Sequence, residues 1–323
     1  MRFVVCYRMH LLAERERYPV VEALRKLGHP VQEIADGPWD PDHGNVLLIL
    51  GNLNWFPHLR QQLLKNEKPA RSVVAIWHTE PLPPPSASQM PWPRPSPREI
   101  VKIILRDPRA TDIYTNYLLL QRLRRNGLPD LLAASTRPRA EFLAEWGIPS
   151  EYVPLGYEPG HGRRLGTPRD IDILFLGERS GRRRRIIEKL RKLGVNVTAR
   201  GDWTDPSLWG EGRTALLNRV KVLLNIPRFP GEFASLRFIF GMANEALVVT
   251  EPVYDPFPFI AGRHFVSACV DEIPAMVLNY LQDEDLRRQI TGQAYAFVTQ
   301  ELTLERSIER LLELIAAKGL IPT

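Results

Sequence analysis

The stretch from Ile171 to Leu190 has the sequence IDILFLGERSGRRRRIIEKL, and it decides the fold. Its first six residues form an apolar run typical of a buried strand. The glycine-containing loop Gly177–Gly181 follows, and apolar residues then recur at helical spacing between Arg182 and Leu193. A strand, a short loop and a helix form the repeating unit of a parallel α/β sheet.

The same alternation continues along nearly the whole chain and predicts the α/β class. Helices are expected near Arg15–Leu27, Arg182–Leu193, Ser235–Asn244, Glu284–Val298 and Leu304–Ala317. The strands predicted in the first half are Phe3–Cys6, Val31–Ile34, Val46–Leu50, Val73–Trp77, Asp112–Tyr114, Leu131–Ala134 and Tyr152–Pro154. Those predicted in the second half are Ile171–Leu176, Val195–Thr198, Val220–Asn225, Ala246–Thr250 and His264–Ser267.

The length of 323 residues suits two domains of roughly 150 residues each. Pro159–Pro168 is rich in glycine, proline and arginine, which indicates a linker. We therefore expect two doubly wound, Rossmann-like domains over residues 1–160 and 161–323, with the C-terminal helices packing back toward the first domain.

Composition excludes several classes of protein. Hydrophobic residues make up 44% of the chain and charged residues 25%, which is ordinary for a globular protein. There is neither an apolar stretch of membrane-span length nor a signal-peptide pattern after Met1. Cys6 and Cys269 lie in apolar runs, where we expect them to be buried, and this suits a reducing, cytoplasmic location.

The net charge of +6 suits an anionic partner, either a nucleotide, a membrane surface or nucleic acid. No RRM, KH or helix-turn-helix signature is present, so nucleic acid is not an expected partner. Neither a G-x-G-x-x-G nor a Walker-type lysine motif occurs, which argues against a dinucleotide dehydrogenase or a P-loop NTPase.

The loop after the strand Ile171–Leu176 has the features of a phosphate site. Gly177 lets a phosphate approach the backbone, and Ser180 is placed to cap the next helix. Arginines in a first turn face the positive end of the helix dipole, and a bound anion would relieve that repulsion. We predict that Arg179 and at least one of Arg182 and Arg183 bind phosphate, whereas Arg184 and Arg185 suit a solvated basic face.

A second candidate site runs from Asn225 to Arg237, from a strand end to the start of a helix that Ser235 is expected to cap. Arg237 is suited to neutralise a phosphate. Glu232 is suited either to accept hydrogen bonds from sugar hydroxyls or to be a first-turn carboxylate favoured by the helix dipole. The same predicted substrate site includes Arg228 and Leu236.

Several segments together resemble a known family. Ser235–Phe238 and Ala246–Glu251 resemble the C-terminal domain of GT-B glycosyltransferases, in particular the group that includes spore-maturation CgeB-like proteins. The resemblance extends over about Leu131–Leu314, and it also rests on Asp170–Gly177, Gly262–Phe265, Leu132–Ser135 and Val153–Tyr157.

This resemblance implies two Rossmann-like domains facing a cleft, with a nucleotide-sugar donor in the C-terminal domain and an acceptor in the N-terminal one. It implies transfer of a sugar to an acceptor hydroxyl without a metal or another cofactor. Retaining members carry two glutamates eight positions apart, the second toward the ribose of the nucleotide. Glu232 matches the first and Phe240 replaces the second, so a catalytically inactive, nucleotide- or sugar-binding protein is the alternative.

Three side chains of the first half are candidates for the catalytic side of the cleft. His78 follows a predicted strand and resembles the histidine beside the donor sugar in retaining relatives. Glu80 is close enough in sequence to orient His78 or to share its work. His10 follows the first strand, at the place where inverting relatives carry a catalytic base. Imidazole titrates near neutrality, so both His78 and His10 are expected to offer a group of near-neutral pKa. Each histidine is alternatively a local hydrogen-bonding residue.

Two basic amphipathic pieces, Arg98–Arg106 and Leu118–Arg125, complete the candidates. They are either ordinary helices with a face toward the core or peripheral contacts to a membrane that holds a lipid-linked acceptor. The proline-rich stretch Pro81–Pro97 between strand and helix excludes a central strand or a helix, and it suits a surface connection or a lid.

Overall fold

The computed structural model describes residues 1–7, 19–40, 45–68, 72–92, 97–105, 113–178, 180–201 and 205–318. The chain forms two compact units. The first comprises Met1–Leu155 together with the chain from Leu304 onward, and the second comprises Gly156–Thr303. The sequence predicts a division after residue 160 and a second domain that runs to the C-terminus, whereas the units divide after Leu155 and the end of the chain belongs to the first.

The first unit is built on a parallel sheet. Within the described residues it has six strands in the order β2-β1-β3-β4-β5-β6. The strands are β1 (Phe3–Cys6), β2 (Val31–Ile34), β3 (Val46–Leu50), β4 (Val73–His78), β5 (Leu131–Ala134) and β6 (Glu151–Tyr152). The helices of this unit are α1 (Pro19–Lys26), α2 (Pro57–Leu64), α3 (Pro97–Ile104), α4 (Ile113–Arg125), α5 (Arg137–Glu145) and α11 (Leu304–Ala317).

Successive side chains of the central strands point to opposite faces of this sheet, and both faces are covered by a core. Leu47 and Ile49 of β3 pack into one core, and Val46 and Leu48 pack into the other. The second core receives α11, whose buried residues recur at helical spacing. These residues are Leu304, Ile308, Leu311 and Ile315. Burial of this apolar stripe is the reason why the end of the chain joins the first unit.

The second unit is also built on a parallel sheet. The described residues form five strands in the order β11-β10-β9-β7-β8. They are β7 (Ile171–Leu176), β8 (Thr198–Arg200), β9 (Val220–Asn225), β10 (Leu247–Thr250) and β11 (Val266–Ser267). The helices are α6 (Gly181–Lys192), α7 (Gly210–Asn218), α8 (Ser235–Ala243), α9 (Ile273–Gln282) and α10 (Glu284–Ala296). The carboxyl ends of the strands therefore meet at one edge, beside the starts of α6 and α8.

Three expectations differ from the structure. The strand predicted over Asp112–Tyr114 is wrong, because Ile113 begins α4, and the helical spacing of Ile113, Tyr117 and Leu120 places all three in the core face of that helix. The strand predicted over Val195–Thr198 begins only at Thr198. Cys6 is buried as expected, whereas Cys269 is exposed.

Candidate functional site

Two glycines bring the ends of β7 and β8 together. Gly177 has a φ of +150°, a conformation that favours glycine, and a Cβ added there would lie 3.0 Å from Nη2 of Arg237. A Cβ added to Gly201 would lie only 1.9 Å from the backbone oxygen of Gly177. The backbone amide of Gly177 donates to the carbonyl of Arg200 at 2.8 Å. At these two positions the carboxyl edge of the sheet therefore consists of backbone without side chains.

The start of α6 follows Gly177 in the chain. Ser180 occupies the N-cap position, but its side chain does not cap the helix. The Oγ atom is buried and makes no hydrogen bond to any residue that the structure describes. Arg179, the neighbouring predicted phosphate ligand, lies outside the described residues.

The first arginines of α6 bind to the chain itself. Arg182 donates to both carboxylate oxygens of Glu251, one of them at 2.8 Å, and to the carbonyl of Pro227 at 3.0 Å. Arg183 is buried and donates to the carbonyls of Ile226 at 2.9 Å and Glu178 at 3.2 Å. The cost of placing arginines in a first turn is thus offset by a carboxylate and by carbonyl oxygens.

Arg237 lies at the start of α8 and faces the same edge. Its Nη1 donates to Oδ1 of Asn225 at 2.6 Å, and its guanidinium lies 6.0 Å from the ring centroid of Phe175. Burial lowers the pKa of Arg237 to about 10; the nearby Arg183 adds to this shift and Glu232 opposes it. The side chain nevertheless remains cationic at neutral pH.

The helix α8 begins one residue earlier than its predicted cap implies. Ala234 is the N-cap residue, without a side-chain cap, and Ser235 is the buried first residue of the helix. The prediction that Ser235 caps α8 is therefore wrong. The first amide groups of the helix lack a capping side chain, which leaves them available to an anion.

Glu232 lies in the loop before α8, so the alternative of a first-turn carboxylate is wrong. Its Oε2 accepts a hydrogen bond from the backbone amide of Phe229 at 3.3 Å, which closes a short turn. Its negative charge acts on both Arg183 and Arg237. Arg228, in the same loop, is exposed, and its guanidinium lies 5.4 Å from the ring centroid of Phe229.

A cavity of about 230 Å³ opens at this edge of the second sheet. Three predicted site residues line it, namely Gly177, Leu236 and Arg237. The remaining lining residues were not singled out as ligand contacts from the sequence. They are Leu176, Gly201, Leu208, Trp209, Arg213, Ala234 and Phe240.

Arg213 and Phe240 form one wall of the cavity. The guanidinium carbon of Arg213 lies 3.7 Å from the ring centroid of Phe240, in a cation–π contact. Arg213 is buried and donates to the carbonyl of Gly160 at 2.7 Å. Where relatives carry a second glutamate, this chain therefore has an aromatic ring held beneath a guanidinium. The residue at position 240 was the one signal in the sequence that pointed to this wall.

Two predicted residues of the first unit, His78 and Glu80, lie at the end of β4. His78 is buried, and its Nε2 makes no hydrogen bond to a described residue. Burial lowers the pKa of His78 to about 3; Arg139 also lowers it, while backbone groups of Gly51 and Glu80 oppose the shift. The carboxylate of Glu80 accepts from the hydroxyl of Thr79 at 3.5 Å. His10 lies outside the described residues.

The buried imidazole of His78 is neutral at ordinary pH, so the near-neutral pKa expected from the sequence is wrong. Within the described residues, no cluster of three histidine, cysteine or acidic side chains is arranged to hold a metal ion. In that same part of the chain, no helix has both the length and the apolar character needed to cross a bilayer.

Comparison with solved structures identifies the fold. Sucrose-phosphate synthase from Thermosynechococcus elongatus superposes with a TM-score of 0.60 at 11% identity, covering 98% of each chain. HepE from Anabaena, solved in complex with UDP-glucose, gives 0.61 at 10% identity over 98% of this chain and 100% of that one. WaaG, a glycosyltransferase involved in lipopolysaccharide biosynthesis, gives 0.55 at 13% identity over 97% and 99% of the two chains.

The chain thus shares the two-sheet GT-B fold of these glycosyltransferases, as the resemblance predicts. At the level of sequence, residues 180–313 match the family model described as "Glycosyl transferase-like". Among curated proteins no match was found. The more detailed likeness to CgeB-like proteins stays a prediction.

Proposed function

We propose that this protein moves a sugar from a nucleotide-sugar donor to an acceptor hydroxyl, and that the cavity beside Arg237 holds the nucleoside diphosphate. The observation that carries the proposal is the composition of this cavity. A guanidinium, an uncapped helix start and two closely spaced glycines meet at the carboxyl edge of a parallel sheet. Open α/β sheets bind their ligands at this edge.

Arg237 and the start of α8 supply the positive charge for the diphosphate. The first amides of α8, from Ser235 and Leu236, add the positive end of the helix dipole. Gly177 has no side chain to keep a phosphate away from the backbone, and Ser180 adds an unpaired hydroxyl nearby in sequence. These groups would stabilise the diphosphate as it leaves the sugar. Arg179 is proposed as a further ligand from its place in the same loop.

The largely apolar part of the cavity suits the nucleoside. Trp209 and Phe240 supply aromatic rings, against which a base or a ribose can pack. HepE, whose fold this chain shares, was solved with UDP and with UDP-glucose. A uridine diphosphate donor is therefore the first candidate.

The reaction breaks the bond between the anomeric carbon of the sugar and the diphosphate oxygen, forms a bond from that carbon to the acceptor oxygen, and releases the hydroxyl proton. We propose that Glu232 accepts hydrogen bonds from the hydroxyls of the sugar. His78, as a neutral imidazole, would donate a hydrogen bond to the substrate, and Glu80 would help to orient it. His10 is the proposed base if the reaction inverts. The resemblance implies that no metal takes part.

A second function is favoured by one observation. Phe240 stands where retaining relatives carry a glutamate, and Arg213 covers its ring at 3.7 Å, so that this position offers no carboxylate to a ribose hydroxyl. A protein that binds a nucleotide or a sugar without turnover is therefore the alternative.

Incubation with a panel of nucleotide sugars and candidate acceptors separates the two. Acceptor-dependent release of free nucleoside diphosphate is the expected result. Tight binding of a nucleoside diphosphate without release from any donor would support the alternative. If the protein neither binds nor releases a nucleoside diphosphate, both functions are wrong.

We further propose a cytoplasmic location and an acceptor that is attached to a membrane. Cys6 and Cys269 are both free thiols, which suits the reducing conditions of the cytoplasm. The net charge of +6 suits an acceptor attached to an anionic membrane, approached from the cytoplasmic side.

A further inference from the structure

The helix α3 is strongly amphipathic in sequence. At 100° per residue, its apolar positions and the following Leu105 occupy one continuous arc, and Arg98, Glu99 and Lys102 occupy the remainder. The apolar positions are Ile100, Val101, Ile103 and Ile104. A surface helix with this pattern ordinarily turns its apolar arc toward the core.

In the structure four of the five residues of the apolar arc are exposed, and the fifth, Ile103, is half-buried. The exposed fractions are 42% for Ile100, 53% for Val101, 72% for Ile104 and 71% for Leu105. On the polar arc, Arg98 is exposed and Lys102 is half-buried. We call the four exposed apolar residues, Ile100, Val101, Ile104 and Leu105, the α3 face.

The neighbouring helix shows that this arrangement is not general. In α4, Tyr117, Leu120 and Leu123 are buried in the first core, whereas Arg122 and Arg124 are exposed. The expectation of an ordinary helix with a core face therefore holds for the piece Leu118–Arg125. The expectation does not hold for α3. Exposure of its apolar residues to water is unfavourable in free energy, and binding to another apolar surface would remove this cost.

We propose that the α3 face docks onto the surface of an anionic lipid bilayer. A short helix whose apolar arc enters the headgroup region, with basic residues at its margin, is the usual form of a peripheral membrane contact. At the same angular spacing, Arg98 and Lys102 lie beside one margin of the apolar arc and Glu99 lies beside the other, and the whole chain carries a net charge of +6. A second copy of this chain would cover the same residues but would bring like charges together, which disfavours it as the occupant.

This inference is independent of the proposed function, because it concerns a surface of the first unit and needs neither donor nor acceptor. A face of four side chains supports weak, reversible binding. Each basic residue near anionic headgroups adds about fivefold in affinity at low salt. Binding should therefore depend on both the apolar face and the lipid charge, and high salt should weaken it.

Co-sedimentation of the full chain with vesicles tests the proposal. Vesicles of phosphatidylcholine with phosphatidylglycerol should bind the protein, and vesicles of phosphatidylcholine alone should bind it much less. The double variant Ile104→Gln, Leu105→Gln keeps good helix-forming residues and should lower partition at least about tenfold. Lys102→Gln should lower it about fivefold on anionic vesicles only.

Leu193→Gln is the matched control, because Leu193 is 50% exposed at the end of α6 in the other unit and should leave partition unchanged. Unaltered thermal melting of each variant shows that the fold is intact. Equal binding of the double variant and the parent would overturn the proposal. Absence of vesicle binding by the parent protein would also overturn it. If light scattering then showed a dimer that the double variant cannot form, the α3 face would bind a second copy of the chain and not a bilayer.

Discussion

At the scale of single residues, His78 shows how far burial changes the chemistry of a side chain. A histidine after a strand suggests a group that titrates near neutrality. The structure instead buries it beside the cationic Arg139, and both effects favour the neutral imidazole and lower its pKa to about 3. His78 is therefore suited to hydrogen bonding at constant charge and not to proton transfer near pH 7.

This shift predicts a pH dependence of folding stability. The unfolded chain protonates His78 below about pH 6.5 and the folded chain does not, so this residue makes stability fall as the pH decreases from about 6.5 toward 3. The contribution to the slope is about 1.4 kcal/mol per pH unit in that window. The free energy of unfolding can be measured by urea denaturation from pH 7 to pH 4. In His78→Gln it should decrease by about 1.4 kcal/mol less per pH unit than in the parent protein. Identical slopes in the two proteins would show that His78 titrates normally.

The residues of the cavity were partly predictable. Gly177 directly follows a strand, and Arg237 lies in the first turn of a helix. Both positions can be recognised from the local sequence pattern. Trp209 is the N-cap residue of α7 and Arg213 lies within that helix, and only the packing of the second unit brings them to the cavity wall. Arg182 was predicted as a phosphate ligand, but its partner Glu251 is 69 positions away, so its pairing was not visible in the sequence.

At the scale of elements, the junction of β7 and β8 depends on a missing side chain. Gly201→Ala would place a Cβ 1.9 Å from the backbone oxygen of Gly177, where only movement of the backbone can relieve the clash. We expect a loss of about 1–3 kcal/mol in the free energy of unfolding, as in other overpacked sites, and weaker nucleotide binding. Chemical denaturation and calorimetric titration with UDP measure the two effects.

Gly292→Ala is the control, because a Cβ there meets nothing within 4 Å and Gly292 lies inside α10. Removing a glycine from a helix interior should raise stability by about 0.5–1 kcal/mol. If Gly201→Ala changed neither the free energy of unfolding nor UDP binding unfavourably, the close approach of Gly177 and Gly201 would not be needed for the structure of the cavity.

Most elements follow from periodicity in the sequence, as the strands β3 and β9 show, because a run buried on both faces needs no tertiary context to be recognised. The failures occur where context decides. Ile113 and Tyr114 are β-branched and aromatic, typical of a strand, yet they open α4, whose core contacts outweigh their local preference.

At the scale of the whole molecule, the two-unit architecture was predictable from the length and from the repeated alternation of strands and helices. That the last helix, α11, belongs to the first unit was predictable only in part. The apolar stripe of α11 indicates that this helix needs a surface, but it does not say which one. The core formed with α1 and the first sheet supplies it, through residues more than 250 positions away in sequence, such as Leu24 and Leu48 with Leu311.

The proposed function requires that the second unit holds a nucleoside diphosphate beside Arg237. Calorimetric titration of UDP into the parent protein, Arg237→Ala and Arg184→Ala tests it most directly. Arg184 is an exposed arginine of α6 and serves as the matched control. We expect Arg237→Ala to weaken binding by about 1.5–3 kcal/mol, the value of a hydrogen bond to a charged group, while Arg184→Ala retains the parent affinity. Unchanged affinity in a correctly folded Arg237→Ala protein would show that the diphosphate does not bind beside Arg237.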